Sequence, residues 1–320
     1  MDKLLVILGP TATGKTDLAL QLAKRYAGEL VSVDSRQVYV GLDIGTGKLP
    51  GKGKWEVRRD KGFWEVGGIR VWMYDVVNSK IQYTVYDYVK DASRVIEDIS
   101  KREKLPIIVG GTGLYLKALI DGLPNLGIPV DLKLRKNLGK LSLSQLQNQL
   151  QKLSPKRWQQ MNGSDRSNPR RLIRAIEIAT VVYKHATAVG KMSTVSNTLN
   201  QIDILKIGLT APKEFLYEKN DRRVEEWIEE GIIDEVKRLI KYGIPKIRFK
   251  QLGLEYSMII EYLNGKLSIA ETVDKMKLKV RQYSKRQITW FKKEKNINWF
   301  DITDKQYQQK IAKMVTQWYD

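Results

Sequence analysis

Eight residues near the amino end, Gly9-Pro10-Thr11-Ala12-Thr13-Gly14-Lys15-Thr16, have types and spacing suited to holding a phosphate. In a glycine-rich loop of this spacing, backbone N–H groups turn inward around an anion, and a lysine and a hydroxyl stand at its end. The apolar run Leu4–Leu8 before it reads as a buried strand, and the Leu18, Leu20, Leu22, Ala23 pattern after it as a helix. The amino end of that helix adds its own attraction for negative charge. Gly9, Thr11, Ala12, Thr13, Gly14, Lys15 and Thr16 are therefore expected to cradle a diphosphate. Lys15 would neutralise its charge, and the Thr16 hydroxyl would reach a Mg²⁺ ion. This motif predicts the ligand's diphosphate and leaves the reaction open.

Two more clusters fall at predicted strand ends, where open α/β sheets place their ligand crevice. Asp34-Ser35-Arg36-Gln37-Val38-Tyr39 begins at the carboxyl end of the short run Leu30–Asp34. Asp34 could take a proton from a nucleophile, hold Mg²⁺, or cap the next helix. Gly110-Gly111-Thr112-Gly113-Leu114-Tyr115 follows Leu105–Val109. Many nucleoside triphosphatases carry an aspartate at such a position. A Gly-Gly-Thr turn suggests instead close backbone approach to a ligand, with the Thr112 hydroxyl as donor.

The elements that must position these residues alternate strand and helix over residues 1–122, the order of an α/β parallel sheet with helices on its faces. Trp55-Glu56-Val57 and Trp64-Glu65-Val66 flank Asp60-Lys61-Gly62 and predict a hairpin on one edge. Turn residues between Pro124 and Pro129 mark a boundary, and 123–200 reads as a helical insertion that ends in a Ser/Thr/Asn-rich loop at 192–200. Ile204–Leu209 predicts a strand returning to the sheet. The remainder of 201–320 reads as helical, with a basic helix over Val273–Lys295.

The chain has 320 residues, 42% hydrophobic, and no cysteine, which excludes disulfides, thiolate zinc sites and cysteine nucleophiles. No signal peptide and no apolar run of membrane-spanning length is evident, so a cytoplasmic protein without a membrane partner is expected. The net charge of +20 points to a polyanion, most often nucleic acid. Thirteen basic residues against three acidic ones lie between Leu123 and Asn200, half of the net charge in a quarter of the chain. That distribution favours a docking surface on the insertion.

Several of these segments, taken in order, resemble the tRNA dimethylallyltransferases. They are Gly9–Thr16, Asp34–Tyr39, Asp43-Ile44-Gly45-Thr46-Gly47-Lys48, Val109–Tyr115, Asn168–Glu177, Asp221-Arg222-Arg223-Val224 and Arg281–Trp290. The resemblance implies a phosphate-loop, nucleotide-kinase-like fold and transfer of a dimethylallyl group from dimethylallyl diphosphate. The acceptor it implies is the exocyclic amine of the adenosine just 3′ of the anticodon in tRNA. It further implies Asp34 as general base, Thr112 and Arg223 at the departing diphosphate, and Mg²⁺ on Thr16. Ser35, Gln37, Arg170, Arg174, Arg281, Lys285, Arg286 and Gln287 would contact the anticodon stem-loop, with 123–200 as a basic clamp and a monomer as the working unit. The alternatives are a phosphotransferase that binds ATP in the same loop, a prenyltransferase acting on free adenine nucleotides, and an RNA-binding protein with a relic loop.

The chain departs from the family pattern in three places. Val71-Trp72-Met73-Tyr74 stands where a His pair usually precedes the aspartate matched by Asp75. Gly253-Leu254-Glu255-Tyr256 replaces Gly-Tyr-Lys-Glu, reversing a charge. Phe63–Arg70 looks inserted.

Overall fold

A computed structural model describes residues 3–48, 55–185 and 202–320. The chain forms two compact units, Met1–Ile120 with Thr198–Asp320, and Asp121–Asn197. The loop expected at 192–200 lies outside the described residues.

The first unit is built on eight strands: β1 (Lys3–Leu8), β2 (Glu29–Ser32), β3 (Val57–Arg59), β4 (Phe63–Val66), β5 (Ile69–Trp72), β6 (Pro106–Gly110), β7 (Asp203–Thr210) and β8 (Ile297–Asp301). They lie in the order β3-β4-β5-β2-β6-β1-β7-β8. From β5 to β8 every pairing is parallel, while β3 and β4 pair antiparallel, so the sheet is mixed. The predicted hairpin is present, with Val57 opposite Val66 and Arg59 opposite Trp64. Strand β1 is apolar and buried along nearly its whole length, as a central parallel strand covered on both faces must be.

The helices of this unit are α1 (Lys15–Arg25), α2 (Val85–Lys101) and α3 (Gly113–Ile120) before the second unit, and α9 to α14 after it. Thr84 and Asp87 cap α2 reciprocally, which satisfies two of its free amides. Leu5, Ile7, Leu22, Leu30, Ile107 and Ile207 form the core under α1.

The second unit contains α4 (Leu132–Leu138), α5 (Leu143–Leu153), α6 (Pro155–Gln160), α7 (Gly163–Arg166) and α8 (Pro169–His185). Leu138, Leu146, Leu150, Met161, Leu172 and Ile176 form its own core. Glu177 is fully buried there and accepts from the Asp131 amide at 2.7 Å, from Arg135 and from Arg174. Lys133, Lys136, Lys140, Lys152, Lys156 and Arg170 are exposed.

After the second unit come α9 (Lys213–Glu229), α10 (Ile232–Lys241), α11 (Lys246–Leu252), α12 (Leu254–Leu263), α13 (Ile269–Phe291) and α14 (Tyr307–Tyr319). Two features differ from the sequence expectation. Helix α13 begins four residues early because Ser268 and Glu271 form a capping box. Strand β8 interrupts what reads as continuous helix: Asn296 adopts a left-handed φ of 58°, and the chain then pairs with β7.

Candidate active site

The phosphate loop joins β1 to α1. Gly14, at φ 75°, opens the helix. The Thr13 hydroxyl and the Lys15 ammonium both donate to the Pro10 carbonyl, at 2.9 and 2.6 Å, which folds the lysine across the loop. Burial pushes the Lys15 ammonium down to about 7; the neighbouring Arg223 adds to this and Asp34 opposes it. A bound anion would reverse that tendency by supplying the charge the lysine lacks.

Two helices that are distant in sequence reach Thr11. From α9, Arg223 Nη1 donates to the Thr11 hydroxyl at 3.0 Å, and its guanidinium lies over the Trp227 ring. From α13, Gln287 Oε1 accepts the Thr11 amide at 2.9 Å. Gly47, at φ 64°, lies so close to Arg223 that a side chain there would collide with the guanidinium.

Asp34 stands at the carboxyl end of β2. Its Oδ1 accepts the Arg36 amide at 2.8 Å, which closes a turn and leaves Oδ2 without a donor among the described residues. The Ser35 amide donates to the Thr112 hydroxyl at 3.2 Å, and the Thr112 amide to the Val33 carbonyl at 3.2 Å. The turn after β6 is thereby tied to the turn after β2, with Asp34 and Thr112 side by side. Tyr74, Tyr88, Tyr115 and Tyr283 surround this point. Burial holds their phenols well above the usual range, and the Asp34 charge pushes each in the same direction. Tyr283 lies beside Thr112 as well, a site residue the sequence hid inside the basic run of α13.

Behind the site, Lys48 is fully buried and donates to the Tyr39 carbonyl at 2.7 Å, to Asp43 and to Asp75. Trp64 donates to the other Asp75 oxygen at 2.7 Å. The inserted hairpin thus supplies the partner of Asp75, beside Met73 and Asp75 in left-handed conformations. Glu235 accepts the Asp43 and Ile44 amides and the Tyr256 hydroxyl. Next to Tyr256, half-buried Glu255 senses Arg36, Asp34 and Arg223; burial pushes its carboxyl up to about 7.

Of the residues expected to touch RNA, Arg170, Lys285 and Arg286 are exposed. Gln37 accepts from the Ser32 hydroxyl at 2.6 Å and donates to the Thr46 carbonyl at 3.0 Å. Arg174 pairs with Glu177 and donates to the Asn125 and Ile128 carbonyls, while Arg281 pairs with Asp221. Gln287 is buried between the phosphate loop and Gly111. The polar groups of Gln37, Arg174 and Gln287 are thus engaged within the protein, whereas Ser35 contributes its backbone amide.

No group of three or more acidic or histidine side chains that could cage a metal occurs among the described residues.

The fold and this site define a phosphate-loop transferase whose glycine-rich loop lies beside a carboxylate. The family model described as IPP transferase matches residues 37–294, and that described as Isopentenyl transferase matches residues 2–59. A tRNA dimethylallyltransferase from Caldanaerobacter subterraneus is 38% identical over 94% of this chain and 92% of its own. The tRNA dimethylallyltransferase 2 of Treponema denticola is 40% identical over 92% and 94%. The crystal structure of the full-length tRNA isopentenylpyrophosphate transferase of Bacillus halodurans superposes with a TM-score of 0.68 at 33% identity, covering 99% of this chain and 95% of that one. A eukaryotic dimethylallyltransferase caught acting on tRNA gives 0.77 at 26% identity, over 99% and 79%. The chain belongs to the IPP transferase family, whose matched members are tRNA dimethylallyltransferases.

Proposed function

We propose that the protein transfers a dimethylallyl group from dimethylallyl diphosphate to the exocyclic amine of the adenosine 3′ of the anticodon in tRNA. One observation carries this reading: the Gly9–Thr16 loop and the Asp34 carboxylate share one site, with Arg223 bonded to Thr11 on one side and Thr112 bonded to the Ser35 amide on the other. The C–O bond to the diphosphate breaks as the C–N bond to the adenine amine forms, and the amine's proton passes to Asp34. Ionisation of an allylic diphosphate depends on stabilising the leaving group. Lys15, the loop amides and Arg223 stand where that negative charge grows, and the Thr112 hydroxyl can donate to the departing oxygen. Mg²⁺ on Thr16 would supply further charge neutralisation.

The adenine amine is a weak nucleophile because its lone pair is delocalised, so a placed base is worth about 10²–10⁴-fold. The adenosine must leave its stack to reach Asp34. The exposed basic residues of the second unit, and Lys285 and Arg286 on α13, would hold the RNA backbone.

The test is transfer by purified protein with Mg²⁺, dimethylallyl diphosphate and unmodified tRNA reading codons that begin with U. Digestion and mass spectrometry should find one adenosine beside the anticodon heavier by one dimethylallyl group. Tight ATP binding without that product would favour the phosphotransferase reading.

A further inference from the structure

Helix α13 presents two unlike faces. Lys285 and Arg286 point to solvent, while Ser284, Gln287 and Phe291 recur at helical spacing and are buried. Gln287 therefore stands on the face turned away from Lys285 and Arg286. Its Oε1 accepts the Thr11 amide at 2.9 Å and its Nε2 donates to the Gly111 carbonyl at 3.0 Å. Gly111 has no room for a side chain, since a Cβ there would strike Gln287 Nε2. One turn further on, the Trp290 ring packs against Gly113 at the start of α3, where a Cβ would likewise collide.

We infer that Gln287 is a positioning residue for the diphosphate side of the reaction, setting the spacing between the phosphate loop and the Gly111–Thr112 turn, and that it does not contact RNA. This rests on the proposed function. One amide bridges the two loops that flank the site. Thr11 leads into the loop residues that cradle phosphate, and Thr112 is the donor to the departing oxygen. Nothing else among the described residues accepts the Thr11 amide, so without Gln287 the loop loses a backbone anchor. The Arg223 bond to the Thr11 hydroxyl holds only the side chain.

The experiment compares wild type with Gln287→Ala and Gln287→Glu, using inorganic pyrophosphate with Mg²⁺ in calorimetry and an unmodified anticodon stem-loop RNA in a separate binding titration. Loss of two neutral hydrogen bonds is expected to weaken pyrophosphate about tenfold in Gln287→Ala. The KM for dimethylallyl diphosphate should rise in parallel, with RNA affinity within about twofold of wild type. Gln287→Glu keeps an acceptor for Thr11 but sets a carboxylate against the Gly111 carbonyl, so it should impair pyrophosphate binding at least as much. Weakened RNA binding with unchanged pyrophosphate affinity would overturn the inference, as would two variants that melt like wild type and bind both ligands normally. Failure of the wild type to modify tRNA, with the pyrophosphate effect intact, would remove the proposed acceptor and leave the role of Gln287 at the phosphate loop standing.

Discussion

Arg223 donates to the Thr11 hydroxyl at 3.0 Å, so a guanidinium from α9 is fixed at the edge of the phosphate loop. Burial lowers its pKa, and the nearby Asp34 carboxylate most strongly opposes that. The group stands ready to trade part of its interaction with Asp34 for a diphosphate. Truncation leaves Lys15 as the main cation at the phosphate loop. Arg223→Ala should weaken pyrophosphate by about 10- to 100-fold, as expected for a charged hydrogen bond worth about 1.5–3 kcal/mol. Arg223→Lys should recover only part of this, because an ammonium lacks the planar fork that fits between Thr11 and Gly47. Calorimetry with pyrophosphate is the direct check.

Asp34 is predicted to act as the base of the chemical step. Its Oδ1 is committed to the Arg36 amide, so Asp34→Asn keeps the turn while removing the base. The single-turnover rate should fall by about 10²–10⁴-fold, with RNA affinity near wild type and pyrophosphate bound at least as tightly, because the carboxylate that competes for Arg223 has lost its charge. A rate within a few-fold of wild type would mean that another group takes the proton.

Glu255 gives the site a pH dependence with a defined sign. Burial raises its carboxyl to about 7, so it is largely neutral at pH 6 and largely ionised at pH 8. Ionised, it competes with an anionic ligand for Arg36 and Arg223, the cations that its carboxylate senses. The ratio of pyrophosphate dissociation constants, wild type over Glu255→Gln, should lie near one at pH 6 and rise several-fold by pH 8. Taking the ratio cancels the titration of pyrophosphate itself. A flat ratio would show that the reversed charge at this position does not reach the ligand.

Much of this was legible in the sequence because local rules and tertiary context agree. The loop at Gly9–Thr16, the hairpin at 57–66 and the returning strand at 203–210 follow patterns spanning only a few residues. What remained hidden depends on contacts between distant segments. Gln287 lies in a run of cations and groups with the residues expected to touch RNA, yet the register of α13 turns it toward Thr11, 276 positions away. The same holds for Trp64, whose indole meets Asp75 only because β4 pairs with β5, the strand that leads into Asp75. Strand β8 was obscured because its five residues, pairing along one sheet edge, alternate too weakly to stand out from the helical segments around them.

Glu29 links the sheet to acid stability. Its side chain is 2% exposed at the start of β2, where burial opposes ionisation. Hydrogen bonds from Arg102 at 2.6 Å, Lys104 at 2.8 Å and Trp72 at 2.7 Å overcome that cost and hold the carboxyl down to about 2. Because the folded value lies below the unfolded one, the stabilisation is fully present above about pH 4.5 and is lost as pH falls toward 2. The two cations are partly exposed, so solvent screening trims the net contribution to about 2 kcal/mol. Glu29→Gln should therefore cost about 2 kcal/mol in urea unfolding at pH 7 and little at pH 2, where the wild-type carboxyl is itself half protonated. An equal loss at both pH values would assign the effect to packing around Trp72 and not to the charge on Glu29.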